Sequence, residues 1–391
     1  MNNSVLNTEV QDFINLNLKS DLTKLILKGS PFPEISIQEI AEQIEAKKRC
    51  EKKLPTWFCA KNIYYSNKLN IEQTSSEITA KYKANLVSGN TLIDITGGFG
   101  VDCYCFSQKV QNVTHCEINQ ELSKIVTYNY KQFDIKKIKT FVGDGLEYLK
   151  ISIQKFDWIY ADPSRRNDTK GKVFLLEDCL PNIPENLDLL FEKSSNILLK
   201  ISPILDITSA INELKFVKEI HIIAIENDVK ELLFLLEKNY TKKIDIKTIN
   251  FNKNENQFFN FILNNEAFAT YSVPKKYLYE PNAAILKSGA FNQISAQLKL
   301  DKLHQHSHLY TSEKLVDFPG RSFEITHCIS YDKKQFKKLI PSKKANITTR
   351  NFPETVAQIR KKTGLKDGGN QYVFFTTDYN QNRIVLLCNK V

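Results

Sequence analysis

The sequence predicts an α/β protein: a mostly parallel sheet covered on both faces, with an antiparallel last strand, a helical region before it and a small α+β domain after it. Three observations carry this prediction. Short apolar segments alternate with amphipathic ones from Thr91 to about Tyr271, a glycine-rich run directly follows the first of them, and the patterns before residue 72 and after residue 272 differ from the middle.

Residues 1–53 show helical spacing in Val10, Phe13, Ile14 and Leu18, then in Leu22, Leu25 and Ile26. After the prolines of SPFPEIS, Ile37, Ile40, Ala41 and Ile44 mark an amphipathic helix with Ser36 as N-cap, and its tail KKRCEKK reads as a solvated face. Residues 76–88 predict a further helix ending at Gly89. TLIDI, VTHCEI, KTFVGD, FDWIYAD, NILLKIS and EIHIIAIE then read as six strands, with helices over 119–133, 145–152, 183–194, 206–214 and 228–238. KIDIKTINF and QFFNFIL, separated by a short polar turn, predict an antiparallel pair at the sheet edge. Turns and short strands follow, and the chain closes on a helix, ETVAQIRKKTGL, flanked by the strands QYVFFTT and RIVLLCN.

The 391 residues are 42% hydrophobic and 25% charged, the composition of an ordinary globular protein. No apolar run approaches the ~18–20 residues of a membrane span. MNNSVLNTEVQDF lacks a charged segment followed by an apolar one, so the expected compartment is the cytoplasm. Eight cysteines are scattered, and Cys103 and Cys105 lack the spacing of a zinc or redox motif. His304, His306 and His308 would share one face of a strand, but no Cys or carboxylate pattern accompanies them, and no metal is expected.

The net charge of +10 is unevenly placed. Residues 270–391 hold 20 Lys+Arg against 9 Asp+Glu, a net of +11, whereas residues 1–269 hold 34 against 35. A general drift towards Lys, visible in that only 7 of 54 basic residues are Arg, would have spread the excess evenly. Its concentration at Lys333-Lys334, Lys337-Lys338, Lys343-Lys344 and Arg360-Lys361-Lys362 points to a polyanionic partner for the last third of the chain.

The chemistry concentrates at the ends of the predicted strands. Asp94-Ile95-Thr96-Gly97-Gly98-Phe99-Gly100 follows the first strand, where open α/β sheets bind nucleotides and glycine lets the backbone approach a ligand. Glu117 ends the second strand, placed to accept bonds from ribose hydroxyls. Asp144, before Gly145, ends the third, where a carboxylate can meet an adenine amino group, and Asp162-Pro163 ends the fourth. Any one of these acids alone reads as an N-cap or turn residue. A nicotinamide dinucleotide is disfavoured, because glycines at 98 and 100 require another at 103, which is Cys103.

This ordered set resembles the class I S-adenosylmethionine-dependent methyltransferases over about residues 73–265. The resemblance implies that Thr96, Gly97, Gly98 and Gly100 line the methionine portion of the cofactor, with Asp94 and Gly145 beside it, that Glu117 holds the ribose, and that Asp144 reads the adenine. In nucleic-acid amino-methyltransferases of that superfamily the fourth strand ends in Asp or Asn, two prolines and an aromatic residue. Here the segment is Asp162-Pro163-Ser164-Arg165-Arg166, which keeps the Asp and first Pro but has Arg165 in place of the aromatic. Arginine can stack on a base or grip a phosphate with its planar fork; two adjacent Arg can also serve to hold the loop by ion pairs. Gln73-Thr74-Ser75-Ser76-Glu77 and Lys200 are second-tier candidates, with an ordinary N-cap and a surface Lys as their plainer readings.

YLYEPNAAILKSGAF, SHLYTS, DFPGRSFEI, RNFP, LKDGG and the DPSRR loop together resemble a narrower family of bacterial proteins, common in the Bacteroidetes. These carry a class I methyltransferase core, a ferredoxin-like segment and a C-terminal THUMP-like domain. The implied division is 1–72 helical region, 73–271 methyltransferase domain, 272–318 ferredoxin-like segment and 319–391 THUMP-like domain. THUMP domains belong to RNA-modifying enzymes, so the resemblance implies methylation of a base in structured RNA, tRNA or rRNA. Asp162, Pro163, Arg165 and Arg166 are the expected catalytic and acceptor-binding residues. Two rival expectations are methylation of a small molecule or protein, and a non-catalytic RNA-binding protein with a vestigial core.

Overall fold

The computed structural model describes residues 1–165, 175–331 and 339–391, with Arg165 represented by its backbone. Arg166, Lys333-Lys334 and Lys337-Lys338 lie outside the described residues, as does the Arg165 side chain.

Six helices open the chain: α1 (Thr8–Leu16), α2 (Leu22–Lys28), α3 (Ile37–Lys53), α4 (Pro55–Cys59), α5 (Lys68–Gln73) and α6 (Glu77–Ala84). The expected apolar stripes meet in one cluster containing Val10, Ile14, Leu25, Ile37, Ile40 and Ile44. Ser36 caps α3 in a reciprocal box with Glu39, each side chain accepting the other's backbone N–H. Ser76 caps α6 by accepting from Thr79 N, the plain reading of that serine.

Eleven strands follow: β1 (Thr91–Asp94), β2 (Asn112–Glu117), β3 (Ile138–Val142), β4 (Phe156–Ala161), β5 (Ser164–Arg165), β6 (Cys179–Leu180), β7 (Ser194–Ile201), β8 (Val217–Ile225), β9 (Asp228–Glu237), β10 (Asp245–Phe251) and β11 (Gln257–Ile262). Between them lie α7 (Val101–Phe106), α8 (Gln120–Gln132), α9 (Gly145–Ile151), α10 (Ile183–Lys193) and α11 (Ile207–Glu213). The large sheet has the order β11-β10-β8-β9-β7-β4-β1-β2-β3, and β5 and β6 form a separate pair among the described residues. Two compact units divide the chain, one of Met1–Val217 and Phe234–Thr241, the other of Lys218–Leu233 and Lys242–Val391.

In the first unit β1 pairs parallel with both β2 and β4, β3 continues parallel from β2, and β7 from β4. Right-handed crossovers of this kind bring the carboxyl ends of all these strands to one side, so the four predicted acids share an edge.

The helix expected over 228–238 is a strand, β9. Glu226 and Asn227 both have positive φ, 49° and 64°, which closes a two-residue hairpin from β8 into β9. The run Leu232–Leu236 is buried throughout, so it carries the continuous apolar pattern of a strand covered on both faces, which a buried helix shares. The hairpin sends β9 back alongside β8, its neighbour in the sheet. Beyond it, β10 pairs parallel with β8 and antiparallel with β11, the expected edge pair.

The rest of the second unit is one seven-stranded sheet, of β12 (Tyr277–Pro281), β13 (Asp301–Lys302), β14 (Tyr310–Ser312), β15 (Gly320–Ser330), β16 (Asn346–Arg350), β17 (Tyr372–Thr377) and β18 (Arg383–Lys390) in the order β13-β14-β12-β15-β18-β17-β16. Helices α12 (Ala283–Ser288), α13 (Phe291–Leu298) and α14 (Val356–Thr363) accompany it. Segments 272–318 and 319–391 thus share a sheet, joined where β12 pairs with β15. A buried acid reinforces the join. Glu280, 4% exposed, accepts from Arg321 Nε at 2.9 Å and from Arg350 Nη2 at 2.9 Å, which gives YLYEPN, DFPGR and RNFP a common structural purpose.

His304, His306 and His308 follow β13 in a turn, so no strand aligns them. His304 Nδ1 accepts from His306 N at 3.1 Å and lies 2.9 Å from Asn351 Nδ2, while His308 stacks on Phe291 at 3.5 Å between centroids. Of the C-terminal basic cluster, Arg360 pairs with Asp367 and Lys362 with Glu354. Lys343, Lys344 and Lys361 are exposed.

Candidate active site

The glycine loop leaves β1 through Asp94, which turns inward. Its Oδ1 accepts from Thr96 N at 2.9 Å and Thr96 Oγ1 at 3.1 Å, and its Oδ2 lies 3.3 Å from Cys103 Sγ. Asp94 is 1% exposed and so braces the loop from beneath. Burial pushes its carboxyl up to about 7, against the pull of the Thr96 bonds. Between the unfolded value, about 3.9, and about 7 the folded state binds a proton that the unfolded state lacks, so stability falls as pH rises through that window. Asp94→Asn is expected to flatten the melting temperature between pH 5 and pH 8; an unchanged slope contradicts this account of the loop.

The glycines of the loop have distinct reasons. A Cβ on Gly97 would lie 2.3 Å from His115 Nε2, and one on Gly100 would lie 2.3 Å from Tyr130 Oη, which donates to the Gly100 carbonyl at 2.8 Å. Gly98 instead faces open space, where a Cβ would meet only Thr96 O at 3.8 Å, and its φ of +57° directs the turn. The loop is thus packed tightly below and open above.

Glu117 ties β2 to this loop. Its Oε2 accepts from Gly98 N at 2.8 Å and its Oε1 from Asn119 N at 2.7 Å, leaving further lone pairs on both oxygens. Burial raises its pKa, partly offset by those two bonds. Asp144 is exposed and caps α9 through Leu146 N at 2.7 Å, and a Cβ on Gly145 would lie 2.5 Å from the Ile95 backbone. Asp162 accepts an ion pair from Lys200, at the end of β7, while its backbone N–H donates to Thr96 Oγ1 at 2.7 Å. Pro163 is buried, and the chain leaves it as β5, whose Arg165 pairs with Cys179 of β6. Thr96 therefore links β1 to β4, and Asp94, Thr96, Gly97, Gly98, Gly100, Glu117, Asp162 and Lys200 form one connected edge.

The crystal structure of a "putative methyltransferase" from Porphyromonas gingivalis W83 is 30% identical to this chain, with a TM-score of 0.87, covering 99% of this chain and 98% of that one. The chain belongs to this methyltransferase family. Family models of a ferredoxin-like domain and a THUMP-like domain match residues 277–319 and 320–390. Two further solved structures are far more distant. TrmK from M. capricolum, in complex with S-adenosylhomocysteine, is 18% identical at a TM-score of 0.30, covering 45% of this chain and 70% of its own, and an rRNA methylase from Streptococcus thermophilus is 13% identical at 0.31, covering 41% and 94%. At those scores neither carries an argument. No protein of curated function matches the chain.

In this methyltransferase-family chain the sequence reading did not find a buried polar network behind the loop. Ser75 Oγ donates to Asp102 Oδ2 at 2.8 Å, Tyr160 Oη donates to the same oxygen at 3.0 Å, and Lys83 Nζ lies 3.1 Å from Asp102 Oδ1. Lys83 is completely buried. Burial alone would raise the Asp102 carboxyl, but Lys83, Lys200 and the Ser75 bond together hold it below its ordinary value. Lys83→Met removes the ion-pair partner of that carboxylate and is expected to cost about 3–5 kcal/mol in denaturant unfolding; a loss below ~1 kcal/mol contradicts the pairing. The signal for His115 was available, since β2 places residues 115 and 117 on one face. The signal for Lys83 was not, because an amphipathic helix reads a lysine as exposed.

Proposed function

We propose that the chain is an S-adenosylmethionine-dependent methyltransferase acting on a base of structured RNA. The observation that carries the reading is the loop packed tightly beneath and open above at Gly98, with Glu117 bonded to its N–H. The donor set fits that cofactor. Free lone pairs on Glu117 suit ribose hydroxyls, exposed Asp144 suits an adenine amino group, and Gly97, Gly98 and Gly100 leave backbone where a side chain would intrude. S-adenosylmethionine supplies a methyl group on a sulfonium.

The protein's part is positioning and proton handling. Asp162 and the Pro163 carbonyl orient the acceptor N–H or O–H, and Lys200 fixes the Asp162 carboxylate through their ion pair. That carboxylate assists departure of the acceptor proton. Arg165 and Arg166, which follow Asp162-Pro163-Ser164 in the sequence, are the proposed contacts to a base or phosphate. The THUMP-like match and the basic excess of residues 270–391 support RNA as the partner.

Mass spectrometry of RNA nucleosides from cells lacking the gene tests the reading, with one methylated nucleoside expected to vanish and return on complementation. An unchanged profile overturns RNA as the substrate.

A further inference from the structure

The second unit holds a cavity of about 480 Å³ that the reading above does not use, within the range of small-ligand sites. One wall is the start of α13, whose first three residues, Phe291, Asn292 and Gln293, all line it. Ala290 caps that helix with no side-chain acceptor, so first-turn N–H groups retain free donors that helix geometry directs out of the N-terminus. Lys302 also lines the cavity. It is 2% exposed, and its Nζ lies 5.9 Å from the centroids of both Tyr271 and Phe291 and donates to Gln305 O at 3.1 Å. No described carboxylate pairs with it, and burial lowers its pKa unopposed.

A buried ammonium and uncapped helix donors lining one cavity make a place for an anion, since each alone pays for desolvation that an anionic group would relieve. The remaining lining specifies more than a bare ion. Tyr271 is 43% exposed at the mouth and offers a ring face, with Phe268 and Val273 exposed beside it in sequence. The amides of Asn265, Asn292 and Gln293 make no hydrogen bond within the chain among the described residues, leaving donors and acceptors for a heteroaromatic edge. Anion, ring and amide edge together describe a nucleotide. We infer that this cavity receives one nucleotide unit of a single-stranded RNA segment, its phosphate between Lys302 and the start of α13 and its base against Tyr271. The inference rests on the RNA reading above and adds a contact outside the methyl-transfer site.

The test is fluorescence anisotropy of a labelled ten-nucleotide RNA of mixed sequence with the full-length protein, repeated over a salt series. Lys302→Met keeps the side chain's length without its charge, and Tyr271→Ala removes a half-exposed ring, so folding of the second variant does not depend on a buried site. Each is expected to weaken RNA binding about tenfold, and Lys302→Met to reduce the slope of log affinity against log salt by about 0.7, the loss of one phosphate contact on a single strand. S-adenosylmethionine affinity, read by calorimetry, stays unchanged in both. Equal RNA affinity in wild type and both variants overturns the inference and leaves the methyltransferase reading standing. Adenosine 5′-monophosphate bound as tightly as the RNA overturns the RNA source in favour of a free nucleotide. Absence of RNA binding by the wild type overturns both this contact and RNA as the substrate, while S-adenosylmethionine binding would still be measured separately.

Discussion

Asp162→Ala is expected to reduce methyl transfer by about 10²–10⁴-fold while leaving S-adenosylmethionine affinity within a few-fold of wild type. The side chain reaches away from the glycine loop to Lys200, and only its backbone N–H touches Thr96, so truncation spares the loop. Removing the carboxylate takes away the proton acceptor and also leaves the Lys200 ammonium, 12% exposed along its side chain, without this partner. Asp162→Asn separates the two effects. It retains an acceptor oxygen and similar shape, so it should recover part of the positioning but little of the proton transfer. A large fall in cofactor affinity with either variant, at unchanged turnover of bound cofactor, contradicts the assigned role.

Gly97→Ala is expected to cut S-adenosylmethionine affinity by more than tenfold and to cost about 1–3 kcal/mol of stability. The added methyl would meet His115 Nε2, Cε1 and Cδ2 at 2.3, 2.5 and 2.7 Å, and the ring cannot retreat because it is completely buried against Tyr130 at 5.9 Å between centroids. Burial lowers the pKa of His115 to about 4, so at neutral pH it is an uncharged filler beneath the loop. That makes the clash repairable. Gly97→Ala combined with His115→Ala should regain most of the lost affinity, although the histidine truncation alone leaves a cavity with its own stability cost. Additive losses in the double variant would contradict the packing argument. Calorimetric titration for affinity and denaturant unfolding for stability read both quantities.

Much of the methyltransferase core was legible in the sequence because its signals are local. A glycine run after an apolar strand, and an acid at the end of each of four strands, need only strand period and chain order to be placed together. What those side chains do once there was less legible. Asp94 and Glu117 look alike as acids at strand ends, yet Asp94 is turned inward by Thr96 and Cys103, while Glu117 remains half-buried beside Gly98. The partner that separates Asp162 from an ordinary turn aspartate, Lys200, lies 38 residues away on another strand. The helix expected over 228–238 failed because Leu232–Leu236 is apolar at every position, and the turn that turns it into a strand uses Glu226 and Asn227 where a glycine would have announced a hairpin. The basic excess of the C-terminal third was real, but part of it is structural. Arg321 and Arg350 hold Glu280, Arg360 holds Asp367 and Lys362 pairs with Glu354, while exposed Lys343, Lys344, Lys361 and Arg383 remain for a polyanion.

The most direct measurement is calorimetric titration of the full-length protein with S-adenosylmethionine, run beside Glu117→Ala. The account predicts one site per chain, with affinity weakened at least tenfold when the Glu117 carboxylate is removed. No binding by the wild type, or equal binding by Glu117→Ala, would contradict it.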